Sequence, residues 1–392
     1  MARRDDSDAQ GKSLFDYLVE QRAPLAEVPL NDVDATVLSY ASYFYFDQGV
    51  LGRLRPEERV PVPMAICGVS RASLFGASTL MRLDGDTFLT AFLQSPRFME
   101  MEVGRFTDEL SPAREKQFAA VTFYLPDGSA FISYRGSDNS VAGWKEDFNL
   151  SYMKAVPSQL SAREYLEAVA NSSDGALYAC GHSKGGNLAE YASLTCRDET
   201  YERIARIWSL DGPGFANDPS ERISTSEYAA RLHKVIPESS VFGMMMEGRP
   251  TSKLRVVRSS GKLFAQHVPS KWLVENNDFV TVGQLTPDAD IIASTVNKWA
   301  ASYEPEQREL FFDVIFDVLR QGNGVYWSDK DGLESAIAII QAAGQVPTEI
   351  RRTVIRMMRD VVSVLSDETK RKTREATIPP AVKAAKSQVA NN

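Results

Sequence analysis

The sequence predicts an α/β fold: a mostly parallel sheet with helices on both faces, plus N-terminal and C-terminal helical additions. Three observations carry this reading. Ala119 to Leu125 and Ala130 to Tyr134 are β-rich runs around a Pro-Asp-Gly-Ser turn, the pattern of a hairpin. From Gly175 onward, short apolar runs alternate with helix-period segments, as in parallel sheets covered on both sides. Before residue 118 and after residue 286 the alternation is missing, and apolar residues recur at helical spacing.

The elements follow in order. Residues 1–12 are polar and read as a mobile tail. Ser13 can cap a helix whose apolar stripe is Leu14, Tyr17, Leu18 and Val19. Asn31 and Asp32 can cap a second over Val33 to Phe46. The rest of 13–117 reads as mostly helical, with Leu89, Phe92 and Leu93 on one face. Val60 to Cys67 is left unassigned, because Pro61 and Pro63 interrupt it. In the core, 118–286, the hairpin is followed by a helix at 161–171 and a strand from Gly175 to Cys180. Next come a helix at 184–195 and strands Ile204 to Leu210, His233 to Ile236 and Leu254 to Val257. Region 287–366 is helical again, with Leu310, Phe311, Val314, Ile315 and Val318 on one stripe, and 367–392 reads as a second tail.

Composition narrows the function classes. The apolar fraction of 43% and charged fraction of 24% are those of a globular chain with a real core. A net charge of −8 argues against a general nucleic-acid binder. No apolar run approaches the roughly 18 residues of a membrane span, and no apolar segment follows the basic N-terminus as in a secretory signal. Three cysteines make no disulfide framework. The expected setting is cytoplasmic, with no metal or cofactor required, because no zinc spacing or nucleotide fingerprint is present. A row of Arg351, Arg352, Arg356 and Arg359 on one amphipathic helix leaves peripheral membrane contact open, beside the simpler reading of a solvated face.

Chemistry concentrates at Gly181-His-Ser-Lys-Gly-Gly186, between an apolar strand and a helix. A serine on such a strained turn needs small neighbours, and the helix start behind it offers free N–H groups to an oxyanion. Ser183 is therefore the candidate nucleophile. It needs a base, and the chain has three histidines. His182 adjoins the serine and should point away from it. His233 opens an apolar strand. His267 lies in a loop beyond the carboxyl end of a late strand, where such sheets present catalytic groups, and is favoured. Asp211 ends the strand after the nucleophile helix and is the candidate acid, with Glu238 its rival. The order Ser183, Asp211, His267 is that of α/β hydrolases.

The segment Tyr134-Arg-Gly-Ser137, followed by Trp144 and Asp147, is similar to the oxyanion segment of class 3 lipases, whose nucleophile turn Gly181 to Gly186 also resembles. From Leu14 to about residue 275 the chain resembles the related Mbeg1-like proteins. The features are Asp16-Tyr-Leu18, Pro29 to Asp34, Asp211-Gly-Pro-Gly214, Val241-Phe-Gly243 and Gln266-His267. The resemblance implies an α/β-hydrolase-like sheet, Ser183 as nucleophile and His267 as base. It also implies an oxyanion hole of Ser137 and the Lys184 N–H, with Asp147 holding the Ser137 hydroxyl. Class 3 lipases carry their acid where this chain has Ser240, so Asp211 must serve from the previous strand. The expected activity is a serine hydrolase cleaving small-molecule or lipid carboxylic esters. Thioesterase, peptidase or acyltransferase chemistry and a non-catalytic binding protein are the alternatives. The expected lid lies between Ser137 and Gln159, with Trp144, Phe148, Leu150, Tyr152 and Met153 as its apolar underside, the alternative being a core helix beside an open mouth. Met244, Met245 and Met246 read first as core and second as an acyl pocket.

Overall fold

The computed structural model describes residues 11–76, 78–261, 263–323 and 348–377. One eight-stranded sheet organises it, with its strands in chain order from edge to edge. They are β1 (Arg59–Pro61), β2 (Glu102–Ser111), β3 (Lys116–Tyr124), β4 (Ala130–Tyr134), β5 (Leu177–His182), β6 (Ile204–Leu210), β7 (Leu232–Pro237) and β8 (Arg255–Val257). The first four pair antiparallel, and β4 to β8 run parallel.

The N-terminal helices are α1 (Leu14–Glu20), α2 (Asp32–Ala41), α3 (Val62–Ile66), α4 (Arg71–Phe75) and α5 (Thr79–Gln94). Ser13 and Asn31 close capping boxes with Asp16 and Asp34, so both predicted starts are realised. Leu38, Phe88 and Phe92 of these helices, with Phe44 just after α2, are buried against one face of the sheet, where Phe123, Phe131 and Trp208 project. Asp34 and Arg97, both fully buried, form an ion pair at 2.5 Å, and Tyr17 donates to the same carboxylate at 2.7 Å. The other face carries α6 (Val141–Asn149) at its rim, then α7 (Pro157–Ser172), α8 (Lys184–Thr195), α9 (Asp198–Glu202) and α10 (Ser226–Arg231). There Leu166, Val169, Leu188 and Ala192 cover Ile132, Ala179 and Ile207. Burial on both faces is why β3 to β6 are nearly continuous apolar runs.

Two regions differ from the sequence reading. The stretch before residue 118 contains β2 as well as helices. Its charged residues hide it as a strand, and it forms because the fully buried β3 offers a long edge. A register shift between Gly104 and Thr107, where Arg105 has φ 44°, bends it. At the other end, α11 (Pro287–Ala301) and α12 (Pro305–Asn323) are followed by α13 (Thr348–Thr377), which continues past the residue-367 boundary where a tail was expected. Of the tails expected at 1–12 and 367–392, residues 1–10 and 378–392 lie outside the described residues, whereas Lys12 is already paired with Val274. No helix among the described residues is long and apolar enough to cross a membrane.

Candidate active site

The site lies at the carboxyl end of the parallel strands, and β5 supplies its centre. β5 ends at His182, and α8 begins at Lys184, so Ser183 alone makes the turn. Its φ of 59° and ψ of −132° are strained for an L-residue. The turn is possible because Gly181 and Gly185 nearly touch. A Cβ on Gly181 would stand 2.2 Å from the Gly185 carbonyl carbon, and one on Gly185 would stand 2.1 Å from the Tyr134 oxygen.

His267 ends a 3-10 turn in the loop after β8. Its ring lies between those of His182 and Phe242, each with its centroid 4.4 Å away. Nδ1 of His267 is 2.6 Å from Oδ2 of Asp211, which sits buried just past β6. A carboxylate only accepts, so Nδ1 carries the proton and Nε2 is left as the basic atom. The other Asp211 oxygen accepts from the Ser240 hydroxyl and, at 3.1 Å, from the Gly243 N–H. Ser240, the position at which the resemblance to class 3 lipases would place an acid, here donates a hydrogen bond to Asp211, which follows the preceding strand. Gly243 allows this approach, since a Cβ there would stand 2.4 Å from Oδ1 of Asp211.

The rival assignments fall elsewhere. Glu238 turns toward the Ser259 N–H, 3.4 Å away. His233 binds Asp32 at 2.8 Å near the amino end of β7, whereas the site lies at the carboxyl ends of the parallel strands. His182 points away from the Ser183 hydroxyl as expected, and it has a structural task. Its Nε2 is 2.7 Å from the His267 carbonyl oxygen, and its Nδ1 is 3.0 Å from the Tyr43 hydroxyl. The carbonyl only accepts, so Nε2 carries the proton and Tyr43 donates to Nδ1. Burial, and after it the neighbouring His267, pushes the His182 pKa well down, so this ring is neutral. Sequence reasoning missed Tyr43, which lies 139 residues from His182 and belongs to the N-terminal helical part.

Ser137, after β4, donates to Asp147 at 2.7 Å. Burial pushes the Asp147 pKa up to about 6, with Lys184 and the Ser137 hydrogen bond opposing the rise. The Lys184 ammonium turns away into a buried pocket, to the Gln117 carbonyl at 2.7 Å and Glu146 at 3.0 Å. Among the described residues, the backbone N–H groups of Ser137 and Lys184 have no hydrogen-bond partner. Ser183 Oγ has none either, an arrangement common before substrate tightens a site. Among the described residues, no cluster of three or more His, Cys, Asp or Glu is arranged to hold a metal ion.

Ser183, His267, Ser137, Lys184 and Asp147 all border one cavity of about 470 Å³. Met245 and Met246 line it, whereas Met244 packs beneath, against Ile236 and Leu254. From the segment 137–159, Trp144, Asp147, Phe148 and Ser151 line this cavity, whereas Leu150, Tyr152 and Met153, expected on the underside of a lid, do not. The segment's helix α6 presents Trp144 and Phe148 inward and is tied to α12, with Lys145 bound to Asp313 at 2.7 Å.

Sheet, elbow and loop placement define a protein of α/β-hydrolase-like class. Within that class the chain belongs to the Mbeg1-like family, whose model matches residues 92–317, more than half of its length. That span includes α11 and most of α12, which the sequence resemblance had left out. No curated protein and no solved structure matches the chain.

Proposed function

We propose that the protein is a serine hydrolase acting on carboxylic esters. The observation that carries this is the His267–Asp211 pair at 2.6 Å, set beside a strained serine at the edge of a largely apolar cavity. The resemblance to class 3 lipases points the same way. Ser183 Oγ attacks the acyl carbonyl carbon as its proton passes to Nε2 of His267. The new oxyanion meets the free N–H groups of Ser137 and Lys184. The bond to the alcohol oxygen then breaks, and the proton on Nε2 leaves with the alcohol. Water adds to the acyl-Ser183 carbon and gives a proton to Nε2. Collapse frees the carboxylic acid and returns that proton to Ser183. Asp211 holds the ring and stabilises its charged form.

The test is a fluorophosphonate probe on the full chain, with the modified peptide identified by mass. The expected result is labelling at Ser183, absent in Ser183→Ala, together with turnover of p-nitrophenyl esters that the variant loses. An unlabelled Ser183 with no turnover of any ester in the series would sink the reading.

A further inference from the structure

We infer that helices α11 and α12 form the substrate-selecting wall of the cavity, and that the wall takes the uncharged apolar acyl chain of the ester. The inference rests on the hydrolase reading and names its substrate class. α11 and α12 come from the C-terminal helical region, outside the strand-helix alternation of the core. Val296, Trp299 and Ala300 reach the cavity from α11, and Phe311 and Phe312 reach it from α12. They face Trp144 and Phe148 of α6, with the Phe148 and Phe312 rings 4.6 Å apart.

This wall is braced from behind. Trp299 donates its indole N–H to the Met357 carbonyl at 2.9 Å, and Phe316, Val354 and Met357 close the outer layer. A surface helix that merely shields the sheet would turn its aromatic residues to the sheet. Here they converge on the space beside Ser183 and His267, so the cavity is apolar where an acyl chain leaving the serine would run.

Charge narrows the ligand further. Apart from His267, the charged side chains that border the cavity among the described residues are Asp138, Asp147 and Lys184. Lys184 commits its ammonium to Glu146 and Gln117, away from the cavity. A carboxylate or phosphoryl group carried on the acyl chain would meet apolar rings and two acidic side chains, with no cation among the described residues to receive it. An alkyl chain would lose only its contact with water, which favours its burial there.

The experiment narrows the wall from inside. Val296 and Ala300 are half-buried and one turn apart on α11, so Val296→Phe and Ala300→Leu extend into the cavity without emptying the core. The rate constants kcat/KM are measured for p-nitrophenyl acetate, butyrate, octanoate and the ω-carboxylated counterpart of octanoate. The wild type is expected to prefer octanoate to acetate and to discriminate at least tenfold against the ω-carboxylate. Each variant is expected to lower the octanoate-to-acetate ratio at least tenfold.

A parallel binding measurement uses Ser183→Ala protein, in which p-nitrophenyl octanoate should quench the fluorescence of Trp144 and Trp299. Adding Val296→Phe should weaken that quenching at least tenfold. Ratios within twofold of wild type in both variants, or equal use of octanoate and its ω-carboxylate, would overturn the inference. If no ester is turned over but octanoate still binds and Val296→Phe still blocks it, the hydrolase reading falls and the apolar site stands.

Discussion

Replacing Asp211 by Asn tests the proposed mechanism at its most specific point. The carboxylate is buried and meets three donors: Nδ1–H of His267, the Ser240 hydroxyl and the Gly243 N–H. An amide has one oxygen and one NH2. Turned with oxygen toward Ser240 and Gly243, it satisfies two donors and presents its NH2 to Nδ1 of His267. The opposite orientation would set the NH2 against the Gly243 N–H. The first is favoured, and it forces the proton of His267 onto Nε2, the atom that must accept from Ser183. A wrong tautomer of this kind lowers kcat by about four orders of magnitude, on the order of 5 kcal/mol. The assay is kcat on the best p-nitrophenyl ester, with thermal unfolding showing that the variant folds. Glu238→Gln is the control and should stay within about threefold of wild type, because Glu238 faces Ser259. Asp211→Asn within tenfold of wild type, or a Glu238→Gln loss as deep, would refute the reasoning.

Three further outcomes follow from the same geometry. Gly243→Ala places a methyl 2.4 Å from Oδ1 of Asp211 and 2.8 Å from Ile236. It should cost about 1–3 kcal/mol in urea unfolding and lower kcat with it, and an unchanged midpoint would count against the close approach. His182→Phe removes the donor to the His267 carbonyl, so kcat should drop roughly 10- to 100-fold with little change in KM. His182→Gln, which keeps an N–H donor, should recover part of the loss, and equal losses in both variants would mark His182 as packing only. Asp147 binds its proton more tightly folded than unfolded, so its contribution to stability is complete below about pH 4 and is lost as pH rises through about 6. The acid is open to the cavity on one side, so the lost contribution is about 2–3 kcal/mol. Asp147→Asn should therefore gain stability relative to wild type between pH 4 and 7, and parallel unfolding curves across that range would exclude a raised pKa.

The sequence by itself determined the elements whose signal is local. The glycines of 181–186 permit one kind of turn, so the strand, the serine and the helix behind it were legible from a few residues. The alternation of apolar strands and amphipathic helices likewise specified the parallel half of the sheet, because burial on two faces leaves its mark in every strand. With three histidines to place, position in a loop after a late strand favoured His267, but chain order fits Asp211 and Glu238 equally, and only in the folded chain does Asp211 meet His267 while Glu238 faces Ser259. Tertiary structure decided what depends on residues far apart in the chain. β2 is too charged to read as a strand and exists because β3 offers an edge. Ser240 reads as a missing acid until its hydroxyl is seen donating to Asp211. Tyr43 holds the His182 tautomer across 139 residues, and α11 and α12 supply aromatic residues to a cavity whose serine lies more than a hundred positions earlier. The physical reason is common to all four: a hydrogen bond or an apolar contact depends on distance in space, and spacing along the chain records that distance only within a turn or a single element.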